Sequence, residues 1–273
     1  MSEDTSSASP RDEVTRLGMW SGPRNISTAM MRAWENRPDT VVVDEPFYAA
    51  YLSRTGIDHP GRAAIIDSQP VHPEEVVRRL RDMPFQPFQP SQPLGGGDGG
   101  ADRGGRRPGV AYAKHMSHHM LARDDLTWTL GFHNVLLIRD PAEVVASYVH
   151  ARESCEPEDI GIPQQARLWR TWQEAGLDVP VIDTADFLAD PEAHLRWICA
   201  WLDIDFMAEM LSWRAGPRDS DGVWAPHWYA SVLASTGFSP RAARVVDLDQ
   251  HDRAVADACR PDYEMLREQR LRV

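Results

Sequence analysis

Positions 24 to 28 of the stretch WSGPRNISTAM hold Arg24, Asn25, Ser27 and Thr28, set between an apolar run and a segment with helical spacing. Backbone N–H groups at a helix N-terminus, hydroxyls in its first turn and a cation beside them form an anion site. A triphosphate cradle would need G-x-x-x-x-G-K-[ST], with Lys reaching the outer phosphates and Ser/Thr binding magnesium. This loop has no Gly-Lys-Ser/Thr ending, and Arg24 stands ahead of the hydroxyls. An ordinary capped helix beside a surface arginine is the plain alternative.

A second group lies in LLIRDPAEVVASY, residues 136–148. Arg139 ends a buried strand, where a cation facing water has no packing purpose. Ser147 lies six residues past Pro141, roughly 9 Å along a helix rising about 1.5 Å per residue. Charge from one and a hydroxyl bond from the other can grip a single phosphate from two sides. Asp140 pairing with Arg139, beside a helix-surface serine, is the alternative. Two further segments bear on chemistry. AYAKHMSHHM holds Lys114, the only lysine in the chain, with His115, His118 and His119; VVVDEPF places Glu45 after a β-branched run.

These residues need elements to position them. Residues 14–20 read as a strand, STAMMRAWEN as a helix with a Ser or Thr available to cap it, and 40–46 as a second buried strand. HPEEVVRRLRDM (72–83) is a short amphipathic helix. The stretch 84–109 is so rich in Pro, Gly and Gln that it reads as a flexible insertion, with Arg103, Arg106 and Arg107 in a solvated loop. VAYAKHM is a strand, HHMLARDDLTWTL a helix, NVLLIRD (134–140) a buried strand, and PAEVVASYVHAR a helix with Asp140 as N-cap and Pro141 first. A helix near 163–176, a strand at 179–183 and helices around 190–203 and 205–214 follow. The alternation implies an α/β fold with a mainly parallel sheet, whose ligands bind outside the carboxyl ends of the strands. GPRDSDGVWAPHWYASV (216–232) reads as a Gly-containing loop whose Trp224, His227, Trp228 and Tyr229 suit either an acceptor pocket or core packing.

Composition narrows the function classes. Against 41 acidic residues stand 29 basic ones, so the surface as a whole repels nucleic acid and anionic membrane, and an anionic ligand needs a local cluster. Apolar runs such as NVLLI fall far short of the roughly 20 residues that cross a bilayer. Cys155, Cys199 and Cys259 form no metal pattern and suit a reducing cytoplasm as structural thiols. Residues 1–13 are polar and read as a disordered lead, 14–240 as one α/β domain, and 241–273 as a C-terminal helical extension covering the core.

GPRNISTAMM resembles the 5′-phosphosulfate loop of the sulfotransferase superfamily, which carries a Pro-(Lys/Arg)-Ser-Gly-(Ser/Thr)-(Ser/Thr) pattern. RDPAEVVASY is similar to that superfamily's 3′-phosphate motif, and DTADFLADPEAHLRWICAWLDIDF (183–206) resembles its Asp-Leu-x-x-Asp-Pro-Glu segment. WSGPRNISTAMM with VVVDEPFYAAYL is similar to a bacterial branch also seen in front of aminotransferase-like domains. The resemblance spans roughly residues 16 to 240. It implies a three-layer P-loop-type fold and 3′-phosphoadenosine 5′-phosphosulfate as co-substrate, with no metal. By position, Arg24, Asn25, Ser27 and Thr28 would surround the 5′-phosphosulfate, and Arg139 and Ser147 would hold the 3′-phosphate. Ile26 stands where the pattern has Gly. Lys114 would neutralise the bridging oxygen. The base is open between Glu45, whose pKa desolvation would raise, and His115, with His118 and His119 as further choices. Arg218 with Gly222 only loosely echoes the superfamily's Arg-Lys-Gly closing loop. The expected activity is sulfuryl transfer to a hydroxyl or amine of a small-molecule acceptor. A P-loop kinase or nucleotidase, and a non-catalytic nucleotide-binding module, are the alternatives.

Overall fold

A computed structural model describes residues 14–83, 109–150, 155–239 and 246–273. The lead at 1–13, almost all of the insertion with its three arginines, and the 240/241 boundary lie outside these residues. Five strands form one parallel sheet in the order β2-β3-β1-β4-β5: β1 (Thr15–Ser21), β2 (Thr40–Asp44), β3 (Val110–Met116), β4 (His133–Ile138) and β5 (Val181–Asp183). Every β-strand connection is a crossover, as parallel pairing requires.

Alternation along the strands sorts the core into two layers. Trp20, Ala113, Leu136 and Ile138 face one side, with α4 (Pro73–Arg81), α5 (Pro141–Val149), α6 (Ile162–Glu174) and α11 (Gln250–Glu268). Leu17, Met19, Tyr112, Val135 and Leu137 face the other, with α1 (Ser27–Glu35), α7 (Thr184–Ala189) and α8 (Pro191–Trp201). The result is the helix–sheet–helix sandwich expected from the sequence. The C-terminal helix α11 belongs to the core itself: Val255, Cys259, Tyr263 and Leu266 are buried in it, and the Tyr263 hydroxyl donates to Asp183 over 2.7 Å.

A third, smaller cluster joins α2 (Tyr48–Thr55), α3 (Arg62–Ser68) and α9 (Ala225–Trp228) through Tyr48, Leu52, Ile65, Trp224 and Tyr229; the short helix α10 (Ala230–Leu233) follows α9. Neither α2 nor α3 was expected, although Tyr48, Tyr51 and Leu52 carry an i, i+3, i+4 pattern.

Three expectations are corrected. The segment 118–130 is not an α-helix but two short 3₁₀ turns, Ser117–His119 and Thr127–Gly131. Its acids turn the chain instead, since Asp124 accepts from the Leu121 N–H and Asp125 from the Thr127 N–H and hydroxyl. The Arg167 guanidinium meanwhile takes the carbonyls of Met120, Leu121 and Ala122. Residues 205–214 likewise hold only the turn Ala208–Leu211, because the chain leaves to pair Ser212 with Gly237. Finally, α1 begins at Ser27 with Ile26 as its N-cap and no side-chain cap.

Candidate active site

The loop from β1 to α1 is held from three directions. Gly22 admits the Ile160 carbonyl, which would stand 2.3 Å from any Cβ placed there. Arg24 adopts a left-handed backbone (φ 55°), a strain that a non-glycine residue bears only where its surroundings impose it. Asn25 supplies much of that imposition. Its Nδ2 donates to Leu137 O over 3.0 Å, and its Oδ1 accepts from the Ile26 N–H (2.8 Å) and from the Thr184 hydroxyl, whose oxygen also lies 2.9 Å from Ile138 O. The Asn25 side chain therefore fastens the loop to the end of β4. Ile26 has an ordinary helical-side backbone (φ −87°) and packs against the second core layer, so this loop does not need glycine there.

In α1 the first bond from this loop is Met30 N–H to Ile26 O, which leaves the amides of Ser27, Thr28 and Ala29 at the open helix end. Arg24 Nε donates to Ser147 Oγ on α5 over 3.0 Å. Arg139, one residue past β4, donates from Nη1 to the Arg24 carbonyl and from Nε and Nη2 to Glu143. Asp140 caps α5 by accepting from the Ala142 N–H, with Pro141 first in the helix, as the sequence implied. Both motifs thus meet at one place, where burial and then the nearby charge of Arg139 lower the Arg24 pKa.

Lys114 joins this edge to the acids. Asp44 and Lys114 are register partners of β2 and β3, so their side chains leave the sheet on the same face. Nζ lies 2.8 Å from Asp44 Oδ1, 2.9 Å from Glu45 Oε1 and 3.1 Å from the Thr28 hydroxyl. Burial works against the ammonium, but the two carboxylates outweigh it and hold the Lys114 pKa above its usual value. For Glu45 burial is the larger effect and raises its pKa, with Lys114 opposing and Asp44 reinforcing. Glu45 sits on a strained turn (φ 39°), and Gln69 donates to the carbonyls of both acids.

Tyr229 completes the cluster. Its hydroxyl donates to Asp44 Oδ2 over 2.6 Å, accepts from Trp224 Nε1 over 2.9 Å and meets Lys114 Nζ. The segment that carries it is strapped to α1 and β2 by Arg32–Asp221, Ser220–Glu35 and the Gly222 N–H to Asp44 Oδ2. Arg218 points to Asn36, and neither it nor Gly222 lines the cavity beside this cluster; Trp228 and Tyr229 do, whereas Trp224 is core and His227 is exposed.

A cavity of about 460 Å³ gathers these groups: Arg24, Asn25, Ser27, Thr28, Glu45, Lys114, Arg139 and Ser147 all line it. His118 and His119 line it too, joined by Tyr48 and His59, which the sequence did not single out. Of the residues expected to carry catalysis or hold the co-substrate, His115 alone stands elsewhere. Neighbouring strand residues point to opposite faces, so Lys114 faces the cavity while His115 stacks on Trp20 at 4.1 Å inside the first core layer. Burial pushes the His115 pKa down to about 3.

A parallel sheet with a cation-lined crevice at its carboxyl edge, entered by a strand–loop–helix turn, defines the class. Residues 15–89 and 105–269 match the sulfotransferase domain family, and the chain belongs to it. Similar proteins include branched-chain-amino-acid aminotransferase-like proteins 1 and 2 of Arabidopsis thaliana. The first is 34% identical over 253 residues, covering 91% of this chain and 41% of that protein. The second is 32% identical over 251 residues, covering 91% and 40%. The chain thus spans about two fifths of the length of these curated relatives. In fold it is similar to the sulfotransferase domain from the curacin biosynthetic pathway, with a TM-score of 0.50 at 14% identity over 90% of this chain and 97% of that one. Among the described residues no helix is long and apolar enough to cross a membrane, and no His/Cys/Asp/Glu group is arranged to hold a metal ion.

Proposed function

We propose that this domain transfers a sulfuryl group from 3′-phosphoadenosine 5′-phosphosulfate to a hydroxyl or amine of a small-molecule acceptor. The observation that carries this reading is the meeting of two cation-and-hydroxyl groups in one cavity, linked by the Arg24–Ser147 bond and continued by Lys114 against Thr28. A co-substrate with a phosphate at each end of its nucleoside gives both groups a task. A triphosphate would leave Arg139 and Ser147 without one.

Arg139 and Ser147 suit the 3′-phosphate; Arg24, Ser27, Thr28, the open amides of α1 and Lys114 suit the phosphosulfate. The co-substrate supplies a sulfur–oxygen bond whose cleavage leaves negative charge on the bridging oxygen. Lys114 and Arg24 are preplaced for that charge, fixed by neighbours that need not reorganise during the reaction. Glu45, buried and raised in pKa, accepts the acceptor's proton at its carboxylate as the new oxygen–sulfur or nitrogen–sulfur bond forms. Asn25 acts through the loop, since both ends of its side chain are spent on protein groups. The three buried free thiols suit a reducing compartment, and we assign the domain to the cytoplasm.

Thermal unfolding with adenosine 3′,5′-bisphosphate and with ATP tests the reading. A ligand at a hundred times its Kd stabilises by about 2.7 kcal/mol. Stabilisation by the bisphosphate and not by ATP, lost in Arg139→Ala, is expected, together with transfer of labelled sulfate into a metabolite extract. Stabilisation by ATP alone, or bisphosphate binding that Arg139→Ala leaves intact, refutes it.

A further inference from the structure

Asp44 and Glu45 are neighbours in the chain, and successive residues of an extended strand point to opposite faces. Their carboxylates nevertheless meet at one ammonium, 2.8 and 2.9 Å from Lys114 Nζ. The left-handed backbone of Glu45 (φ 39°) breaks the alternation and turns its side chain to the lysine's side, while its N–H still donates to the Lys114 carbonyl over 3.0 Å. A non-glycine residue holds such a backbone only where its surroundings impose it. Two carboxylates around one ammonium leave a negative charge unmatched in a buried place, where such a charge is costly.

The two acids are not equivalent. Asp44 is enclosed: its side chain is 1% exposed, Oδ1 faces Lys114, and Oδ2 accepts from the Tyr229 hydroxyl over 2.6 Å and from the Gly222 N–H over 3.1 Å. It does not line the cavity. Glu45 does, with only Oε1 engaged among the described residues, towards Lys114 and, at 3.4 Å, the Tyr229 hydroxyl. A proton arriving from the cavity therefore reaches Glu45 and not Asp44, and once it has arrived Asp44 and Lys114 remain as a matched pair.

The charged and titratable groups facing Glu45 are Asp44 at the end of β2, Lys114 on β3, Tyr229 after α9, and Tyr48 on α2, whose pKa burial and then the Glu45 charge raise. Arg24, Arg139, His59, His118, His119 and Tyr148 line the same cavity. Burial raises the Glu45 pKa, Lys114 opposes it and Asp44 adds to it.

We propose that Asp44 is a positioning residue for the transfer: held by Tyr229 and Gly222, it claims Lys114 from the closed side and leaves Glu45 as the unmatched carboxylate that takes the acceptor's proton. The proposal rests on the sulfuryl-transfer reading with Glu45 as base, and adds what makes Glu45 the base. With Asp44 uncharged, Lys114 and Glu45 become a matched pair, and Glu45 holds its proton less tightly.

Carbon-13 NMR of the full chain, labelled at its glutamate side-chain carboxyls, tests this without an acceptor, the Glu45 signal being the one absent from Glu45→Gln. In Asp44→Asn the Glu45 titration midpoint is expected to fall by about one pH unit or more, a tenfold loss of proton affinity. Tyr229→Phe removes a donor from the same carboxylate but keeps its charge, so there the midpoint should hold or rise. Any smaller fall in Asp44→Asn, or a rise, overturns the proposal. A fall in Tyr229→Phe overturns it as well, and decides the matter should Asp44→Asn not fold. Calorimetry of the unaltered protein with adenosine 3′,5′-bisphosphate runs beside these titrations. No binding there refutes the sulfuryl-transfer reading whatever the midpoints do; binding, with midpoints that miss the expectation, removes the role of Asp44 alone.

Discussion

Arg24 Nε donates to Ser147 Oγ across 3.0 Å, joining residues 123 positions apart into one wall of the cavity. Arg139 braces the same wall from behind through the Arg24 carbonyl. Three groups that look independent in the chain are thus mechanically one.

The consequence is measurable as coupling. Arg24→Ala and Ser147→Ala should each weaken adenosine 3′,5′-bisphosphate binding about tenfold, or about 1.4 kcal/mol. In the double variant the losses should fall short of additive by about 0.5 kcal/mol or more, because either change already breaks the shared contact. Titration calorimetry on the four proteins checks this, and strict additivity would count against a shared site.

Lys114→Met should cost about 3–5 kcal/mol of stability, since it leaves Asp44 and Glu45 buried without their counter-ion. Denaturant midpoints measure it. Adding Asp44→Asn should recover part of the loss while turnover stays absent; a loss under about 1 kcal/mol in the single variant would show that the pair carries little of the fold.

His115→Phe should leave turnover nearly unchanged and alter stability at pH 7 by less than about 1.5 kcal/mol, because the ring is packed in the core and both its nitrogens are unpartnered among the described residues. Its pH effect is distinct. With a folded pKa of about 3 against an ordinary 6.5, the unfolded chain binds a proton that the native state refuses. Stability contributed by this ring is full above pH 6.5 and falls as pH drops towards 3, by about 1.4 kcal/mol per pH unit. The variant should therefore lose stability less steeply in acid, and an unchanged slope in pH-dependent melts would contradict the buried neutral ring.

If Glu45 is the base proposed above, it must be ionised to act, so the rate should rise with pH through its raised pKa. The acidic limb of kcat is expected above the ordinary carboxylate range. Glu45→Gln should lower kcat by about 10²–10⁴ and abolish that limb. A limb that persists in the variant would assign the base elsewhere.

Much of this arrangement was legible in advance where a local rule applied. The β-branched and apolar runs became strands, Asp140–Pro141 began a helix, and the crevice opened at the carboxyl ends of the strands. Local rules failed where a distant group intervened. HHMLARDDLTWTL has helical spacing, yet Arg167 takes its carbonyls and its own acids turn it. That the Asn25 side chain fastens the loop could not be read locally, because its partners Leu137 and Thr184 come from other strands and helices.

By itself the sequence determined the layered α/β architecture, the membership signalled by GPRNISTAMM and RDPAEVVASY, and the segments from which the candidate residues come. Periodicity, capping and loop chemistry are properties of neighbouring residues, so they can be read along the chain. Only the tertiary structure decided that Lys114 is bound by Asp44, Glu45 and Tyr229, and that His115 turns away from the cavity. Strand register set the first pair, a strap anchored on Arg32 and Glu35 brought in Tyr229, and the two-residue period of β3 sent its adjacent lysine and histidine to opposite faces.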